Sequence, residues 1–428
     1  MPTLDQQTID RITKRGVAQI IPEDEFIRRL QEGRPLRLKM GFDPSRPDLH
    51  LGHVVGLRKL RQLQDLGHEL ILIVGDWTAQ IGDPSGASET RTMLSAEDVR
   101  ENAETYMRQF FKVMDPNRTR AVYQSEWFGK FTLSDVIRLT SHFTVNQFLH
   151  RDDFAQRYAG QRPIAVTEML YPLLQAYDSV AIEADVEFGG TDQLFNLLVG
   201  RELQEKVGQR PQLVFTMPIL PGTDGVRKMS KSLDNYIAIE DTPRDMFGKI
   251  MSLPDDLIPV YFELLTDVPD DELDAIRAAM GPTSPSANPA SSVIPAKAGI
   301  SSLNPMDLKK RLGEELTAVF HSPGAATAAR EEFERVFQRR ETPEDIPEVA
   351  VGPTSPAVVS RDADGFDADL SHLLPALNLA ASRSEARRLL QQNAVQIDGE
   401  RPDGERVRVP YGALVRVGSR RFARVVRG

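Results

Sequence analysis

The segment LKMGFDPSRPDLHLGHVVGLRKLRQL, residues 38–63, changes its periodicity half-way along. Around its start Leu36, Leu38, Met40 and Phe42 alternate with Arg37, Lys39 and Gly41, which is the period of a strand. From Gly52 onward Val55, Leu57, Leu60, Leu63 and Leu66 recur at helical spacing, and Gly67 stands where a helix ends. ELILIVGDW (69–77) then supplies a short, near-continuous apolar run, the pattern of a parallel strand buried on both faces. Strand, helix and strand with glycine-rich turns form a βαβ unit, so an open, Rossmann-like parallel α/β sheet is expected in the first half.

Two histidines, His50 and His53, stand where the turn feeds that helix. Three readings compete: a metal pair, a structural helix cap and a phosphate site. A helix N-terminus offers unpaired N–H groups and partial positive charge, and Gly52 removes a side chain from the path of a ligand. Residues i and i+3 share a face, so both imidazoles can address one oxyanion. A metal needs a third ligand, yet His68 and Glu69 lie a full helix further on and no HExxH spacing exists. Spacing therefore favours phosphate, leaves the cap open and disfavours metal.

The chain has 428 residues, enough for two to four domains. A hydrophobic share of 40% and a charged share of 27% suit a soluble protein with a sizeable core. Cysteine is absent, which excludes disulfides and Cys-ligated zinc or iron–sulfur centres. The N-terminus lacks an apolar signal region and no 18-residue apolar run occurs, so a cytoplasmic protein without a membrane anchor is expected. The net charge of −10 is uneven: Asp367–Gly428 holds eleven Arg and seven acids, a net of +4. An acidic body with a small basic tail fits an enzyme carrying one polyanion-binding module better than a DNA binder.

Along the chain, residues 1–34 read as amphipathic helix and 96–158 as largely helical. A second strand–turn–helix pattern falls at 180–203, a further strand at 211–220, and helix returns at 241–280. These patterns set a catalytic domain over 1–240 and a helical domain over 241–343. The Ser/Pro/Ala-rich stretch 281–305 reads as a disordered insertion within the latter. Residues 344–365 read as a linker, and 366–428 as a compact module of two helices, a turn at IDGE and short strands.

A second chemical signal is DGVRKMSKSLDNY (224–236). Such a charge run is ordinarily a solvated turn. Lys228 and Lys231, interleaved with Ser230 and Ser232, can instead neutralise charge developing on a pyrophosphate leaving group. HLGH followed some 175 residues later by KMSKS resembles the paired signatures of class I aminoacyl-tRNA synthetases. GFDPSRPDLHLGH, IGDPSG (81–86), YPLLQAYD (171–178), GGTDQLFN (189–196) and an S4-like tail resemble the bacterial tyrosyl-tRNA synthetase family more specifically, over nearly the whole chain except 281–305.

That resemblance implies an ATP-dependent tyrosine–tRNA ligase, with ATP accompanied by Mg2+, tRNA(Tyr) and L-tyrosine as partners, and a homodimer. It places ATP against Gly41, Asp43, Ser45, His50, Gly52 and His53, against Gly190 and Asp192, and against Lys228, Met229, Ser230, Lys231 and Ser232. Ser45, His50, His53, Lys228 and Lys231 would carry the catalysis, with no protein-bound metal. Tyrosine would meet Asp83, Tyr171 and Gln175 at its ammonium, Gln193 at its carboxylate and Asp178 at its phenol. Spacing supports part of this independently, since Tyr171, Gln175 and Asp178 fall on one helix face.

One position departs from the family pattern: two residues before Gly41, where many members carry a substrate-contacting Tyr, this chain has Lys39. It is left out of the site, as a side chain that points away or pairs with an acid. In the tail Arg383, Arg387 and Arg388 on a predicted helix suit an RNA backbone, against the alternative of a salt-bridged helix around Glu385. A related ligase for tryptophan, or an S4-type RNA-binding protein with a dead catalytic domain, are the competing functions. The intact His50, His53, Lys228, Lys231 and Asp192 argue against the second.

Overall fold

A computed structural model describes residues 4–44, 48–84, 95–281, 304–338, 346–418 and 421–428. The chain divides into two units, Met1–Ala329 and Arg330–Gly428. In the first, six strands form one sheet: β1 (Gln19–Ile21), β2 (Arg37–Phe42), β3 (Glu69–Val74), β4 (Thr119–Tyr123), β5 (Val186–Gly190) and β6 (Leu213–Met217), in the order β1-β6-β5-β2-β3-β4. All neighbours run parallel except β1, which is antiparallel to β6. The order reverses at β2: the chain leaves it toward β3 and β4, then returns on its other side as β5 and β6. In such sheets the crevice beyond the C-terminal strand ends, at the reversal, is where ligands bind.

The βαβ expectation holds. Leu70 through Val74 of β3 are all buried, as the apolar run requires. The helix Leu51–Asp65 includes Val54, Val55 and Gly56, all weak helix formers. Its Leu57, Leu60 and Leu63 are fully buried, and at about 2 kcal/mol each their packing outweighs a propensity deficit of about 0.5–1 kcal/mol per residue. Gly67 follows at φ +99°, the left-handed turn anticipated there.

Two expectations fail, and a third, the largely helical 96–158, holds but for one strand. Residues 1–34 are not continuous helix but two helices, Gln6–Thr13 and Glu23–Gln31, separated by β1. Gly16 at φ +63° breaks the first, and Gln19–Ile21 pairs with Val214–Thr216 along an otherwise open sheet edge. The region 96–158 contains β4 amid its helices. The stretch 344–365, whose Gly and Pro suggested a linker, carries β7 (Glu348–Val351) and β8 (Val358–Arg361). The insertion expected at 281–305 lies, for 282–303, outside the described residues.

The helices Ile258–Leu265 and Pro305–Phe320 share one core with the sheet, from Leu38 and Phe215 through Tyr261 to Leu312. The second unit adds β9 (Gly365–Asp369), β10 (Val395–Ile397), β11 (Arg406–Pro410), β12 (Leu414–Val417) and β13 (Arg421–Arg427). These form two sheets, β10-β12-β13-β7 and β11-β9-β8. Its helices, Leu370–Ala376 and Arg383–Gln391, close a separate core around Leu373, Ala386 and Val415.

Candidate active site

A cavity of about 350 Å3 opens at the reversal point. Its walls include Gly41 and Asp43 after β2, Gly190, Asp192 and Gln193 after β5, and Tyr171, Gln175 and Asp178. The last three sit on the helix Val166–Ile182, so the predicted polar stripe does line a site. Asp83 lines it too.

Asp178 is buried, and both its oxygens are engaged: Gln124 Nε2 donates to Oδ2 at 2.8 Å and Trp127 Nε1 to Oδ1 at 3.2 Å. Burial pushes its carboxyl up to about 7, against the opposing pull of the nearby Lys39 ammonium and the Gln124 hydrogen bond. Tyr171 donates its hydroxyl to Asp43 Oδ2 at 2.7 Å, and Thr78 Oγ1 donates to the other oxygen of Asp43 at 2.7 Å. Asp83 accepts from Gln193 Nε2 at 2.6 Å and faces Arg151 Nη2 at 3.5 Å. Gln193 Oε1 in turn accepts from Asn196 Nδ2 at 3.0 Å.

His50 is the N-cap of the Leu51–Asp65 helix, and its backbone N–H donates to His53 Nδ1 at 3.2 Å. The ring centroids are 3.9 Å apart. The structural cap that the sequence left open is therefore present. Burial, reinforced by Lys231, lowers His53 to about 4, and burial, with the adjacent His53 ring and Lys231, lowers His50 to about 2. Both imidazoles are neutral near pH 7. Because His53 Nδ1 accepts, its proton resides on Nε2. His50 Nδ1 is buried with no hydrogen-bond partner among the described residues.

Gly52 stands tight against the ring of His50. A Cβ there would lie 3.0 Å from the His50 ring, so the glycine makes room for the imidazole itself. Likewise a Cβ at Gly190 would meet Asp192 Oδ1 at 2.7 Å, so that position seats a protein carboxylate.

Backbone bonds stitch the HLGH turn to the segment that follows the KMSKS loop. Leu51 N donates to Ile237 O at 3.0 Å and Ile239 N to Leu49 O at 3.1 Å. Met229 is buried, while Lys228 Nζ reaches Asp192 Oδ2 at 3.3 Å and Lys231 Nζ reaches Asp48 Oδ2 at 2.7 Å. Asn235 holds the loop: its Oδ1 accepts from Ser230 N at 2.8 Å, and its Nδ2 donates to Asp224 Oδ2 at 3.0 Å and Lys228 O at 3.1 Å. Ser230 and Ser232 hydroxyls bond each other at 2.9 Å. Of the two motifs only His53 and Lys228 line the cavity itself. Ser45 lies outside the described residues.

The family of class I tRNA synthetases for tryptophan and tyrosine matches residues 31–338. A tyrosine–tRNA ligase of Dehalococcoides mccartyi (strain CBDB1) is 54% identical over 421 residues, spanning 98% of this chain and 99% of that protein. The tyrosine–tRNA ligase of Thermotoga maritima is 48% identical over 98% of this chain and 97% of its own. The chain belongs to the tyrosyl-tRNA synthetase family. Among solved structures, the fold is similar to that of a C-terminally truncated Aspergillus nidulans mitochondrial tyrosyl-tRNA synthetase, with a TM-score of 0.61, 18% identity, and coverage of 78% of this chain and 95% of that one. It is also similar to the tyrosyl-tRNA synthetase of Archaeoglobus fulgidus, with a TM-score of 0.57, 23% identity, and coverage of 76% and 99%.

For a tyrosyl-tRNA synthetase, several residues around this cavity carry no motif. Gln124 and Trp127 hold Asp178, and Arg151, buried between Phe154 and Phe195, faces Asp83. Tyr106, which lines the cavity beside His53, comes from a separate helix, Ala96–Phe110. In the second unit Arg383, Arg387 and Arg388 are exposed on the predicted helix. Glu385 does not neutralise its helix neighbours but bonds Arg421 at 3.2 Å, while Arg387 pairs with Glu405 at 3.0 Å.

Proposed function

We propose that this chain joins tyrosine to tRNA(Tyr) in two steps, with the cavity serving the first. The tyrosine carboxylate attacks the α-phosphorus of ATP, the bond to the β-phosphate oxygen breaks, and pyrophosphate leaves. The resulting tyrosyl-adenylate then passes its acyl group to a ribose hydroxyl at the 3′ end of the tRNA, releasing AMP. The nucleophile is the substrate's own, so the protein's work is orientation and charge stabilisation.

In this reading Asp178 accepts the phenol hydrogen bond, Asp83, Tyr171 and Gln175 surround the ammonium, and Gln193 meets the carboxylate. Asp192 binds the ribose. ATP arrives with Mg2+ as the substrate complex, and its phosphates lie toward His50, His53 and Ser45. Neutral imidazoles act there as hydrogen-bond donors, His53 through Nε2. Lys228 and Lys231 exchange their carboxylate partners, Asp192 and Asp48, for the departing pyrophosphate. That exchange keeps both cations paired before substrate arrives and commits them only as charge develops.

Arg383, Arg387 and Arg388 serve the tRNA backbone. Leu133, Ile137, Val145, Tyr158 and Val166, each more than half exposed and drawn from one stretch of chain, support a homodimer through this segment. Among the described residues no helix is long and apolar enough to cross a membrane, and the substrates suit a cytoplasmic enzyme.

The observation that carries this reading is the single cavity bounded by Asp178 and by one residue from each signature motif, His53 and Lys228. Exchange of pyrophosphate into ATP should require tyrosine and proceed without tRNA. Absence of exchange with tyrosine or any other aromatic amino acid would sink the ligase reading.

A further inference from the structure

Lys39 and Glu187 are register partners across the parallel β2–β5 pair, and both are fully buried. Burying two charges costs several kcal/mol each unless their protons and lone pairs are matched. Here they are. Lys39 Nζ donates to Glu187 Oε1 at 2.9 Å, to Gln175 O at 2.6 Å and to Ser179 Oγ at 2.7 Å, which uses all three ammonium protons. Glu187 also accepts from Gln175 Nε2 at 3.1 Å, Ser179 Oγ at 3.2 Å and Gln212 Nε2 at 2.5 Å. The helix Leu194–Lys206 closes over this cluster at Gly200, where a Cβ would fall 2.6 Å from Gln212 Nε2 and 3.0 Å from Glu187 Oε2.

The cluster acts on Gln175, which lines the cavity. A carboxylate only accepts, so the amide must present its NH2 group to Glu187. Its carbonyl oxygen, which receives no hydrogen bond among the described residues, is the end left for a ligand. A carbonyl oxygen suits an ammonium group, whereas an NH2 turned outward would oppose it.

We propose that the Lys39–Glu187 pair is a positioning device that locks the Gln175 amide with its oxygen toward the cavity and so confers selectivity for substrates bearing a primary ammonium group. Lys39, the position that departs from the family pattern, thereby contributes to tyrosine recognition without touching the substrate. The inference rests on the reading of Gln175 as an ammonium contact.

The test compares dissociation constants, by calorimetry on the full chain, for L-tyrosine, tyramine and 3-(4-hydroxyphenyl)propanoate. The last has the phenol but no ammonium. Glu187→Gln removes the obligate acceptor at nearly constant volume. It should weaken tyrosine and tyramine by about tenfold, the worth of one hydrogen bond to a charged group, and leave the propanoate and the KM for ATP within about twofold. The double variant Lys39→Met/Glu187→Leu removes the pair without stranding a charge, and should show the same selective loss should the single variant not fold. Equal weakening of all three ligands, or none, would overturn the positioning role. Wild-type protein that binds neither tyrosine nor tyramine would overturn the tyrosine reading itself.

Discussion

The carboxyl of Asp178 is buried yet held by two donors, and the balance leaves it titrating at about 7. Two measurements follow from the sign of that shift. As an ion it would accept the proposed phenol hydrogen bond, so kcat/KM for tyrosine should fall as pH drops below about 7, and Asp178→Asn should abolish that limb. The same substitution should raise the phenylalanine-to-tyrosine ratio of kcat/KM by about tenfold or more, because a hydrogen bond to a charged group is worth about 1.5–3 kcal/mol. A raised carboxyl favours the fold at low pH and loses that contribution as pH rises from about 4 to 7. Asp178→Asn, which never ionises, should therefore gain stability relative to the parent across that window, on the order of 4 kcal/mol for a shift of about three units. A constant stability gap between pH 4 and 8 in urea titrations would contradict this account. His50 and His53 act in the opposite sense: lowered in the fold, they contribute stability above about 6.5 that is lost as pH falls toward 4.

At the level of elements, Asn235 and Asp224 together hold the KMSKS loop, Asp224 accepting from the backbone N–H groups of Val226 and Arg227. Asn235 bonds Ser230, Asp224 and Lys228, and Gly222 leaves it room, since a Cβ there would fall 2.3 Å from Asn235 Nδ2. Asn235→Ala should lower kcat of pyrophosphate exchange by about tenfold or more while leaving tyrosine affinity within about twofold, as loosened lysines no longer meet the developing charge. Equal damage to both would instead mean that the loop shapes the tyrosine pocket. Asn235 also marks the limit of sequence reading. The β2–helix–β3 unit was legible because its periods of 2 and 3.6 are local, and so was the stripe of Tyr171, Gln175 and Asp178. β1 was not, because three residues carry too little periodicity and their partner, β6, lies some 190 residues away. Nor were the Lys39–Glu187 pair and the Gln124–Asp178 bond, which join segments 148 and 54 residues apart. The glycine beside the histidines was visible, but the contact it relieves was not. That contact, a Cβ 3.0 Å from the His50 ring, exists only in the folded chain.

For the whole molecule, the separate cores of the two units set the truncation experiment. A cut at 367 would strip β7 and β8 of their partners β13 and β9, so the informative variant removes 339–428. It should retain tyrosine-dependent exchange within a few-fold and lose most tRNA charging. Loss of both activities together would mean that the tail supports the catalytic unit's folding. The charge distribution points the same way, since the tail's excess of arginine should make charging more sensitive to salt than exchange. A homodimer requires a solution mass near twice 47.8 kDa, and Leu133→Glu/Ile137→Glu should reduce it to the monomer value. A parent protein already monomeric at micromolar concentration would refute that assembly.

The bond from Trp127 to Asp178 also makes the protein an optical instrument. The chain has two tryptophans, and the other, Trp77, packs beside Phe128 at 6.0 Å. A phenol donating to the Asp178 carboxylate would draw off part of the charge that faces the Trp127 indole N–H, and the emission should change with it. A Trp77→Phe protein would carry one fluorophore, bonded to Asp178, so that tyrosine arrival should be readable in a stopped-flow trace without any label.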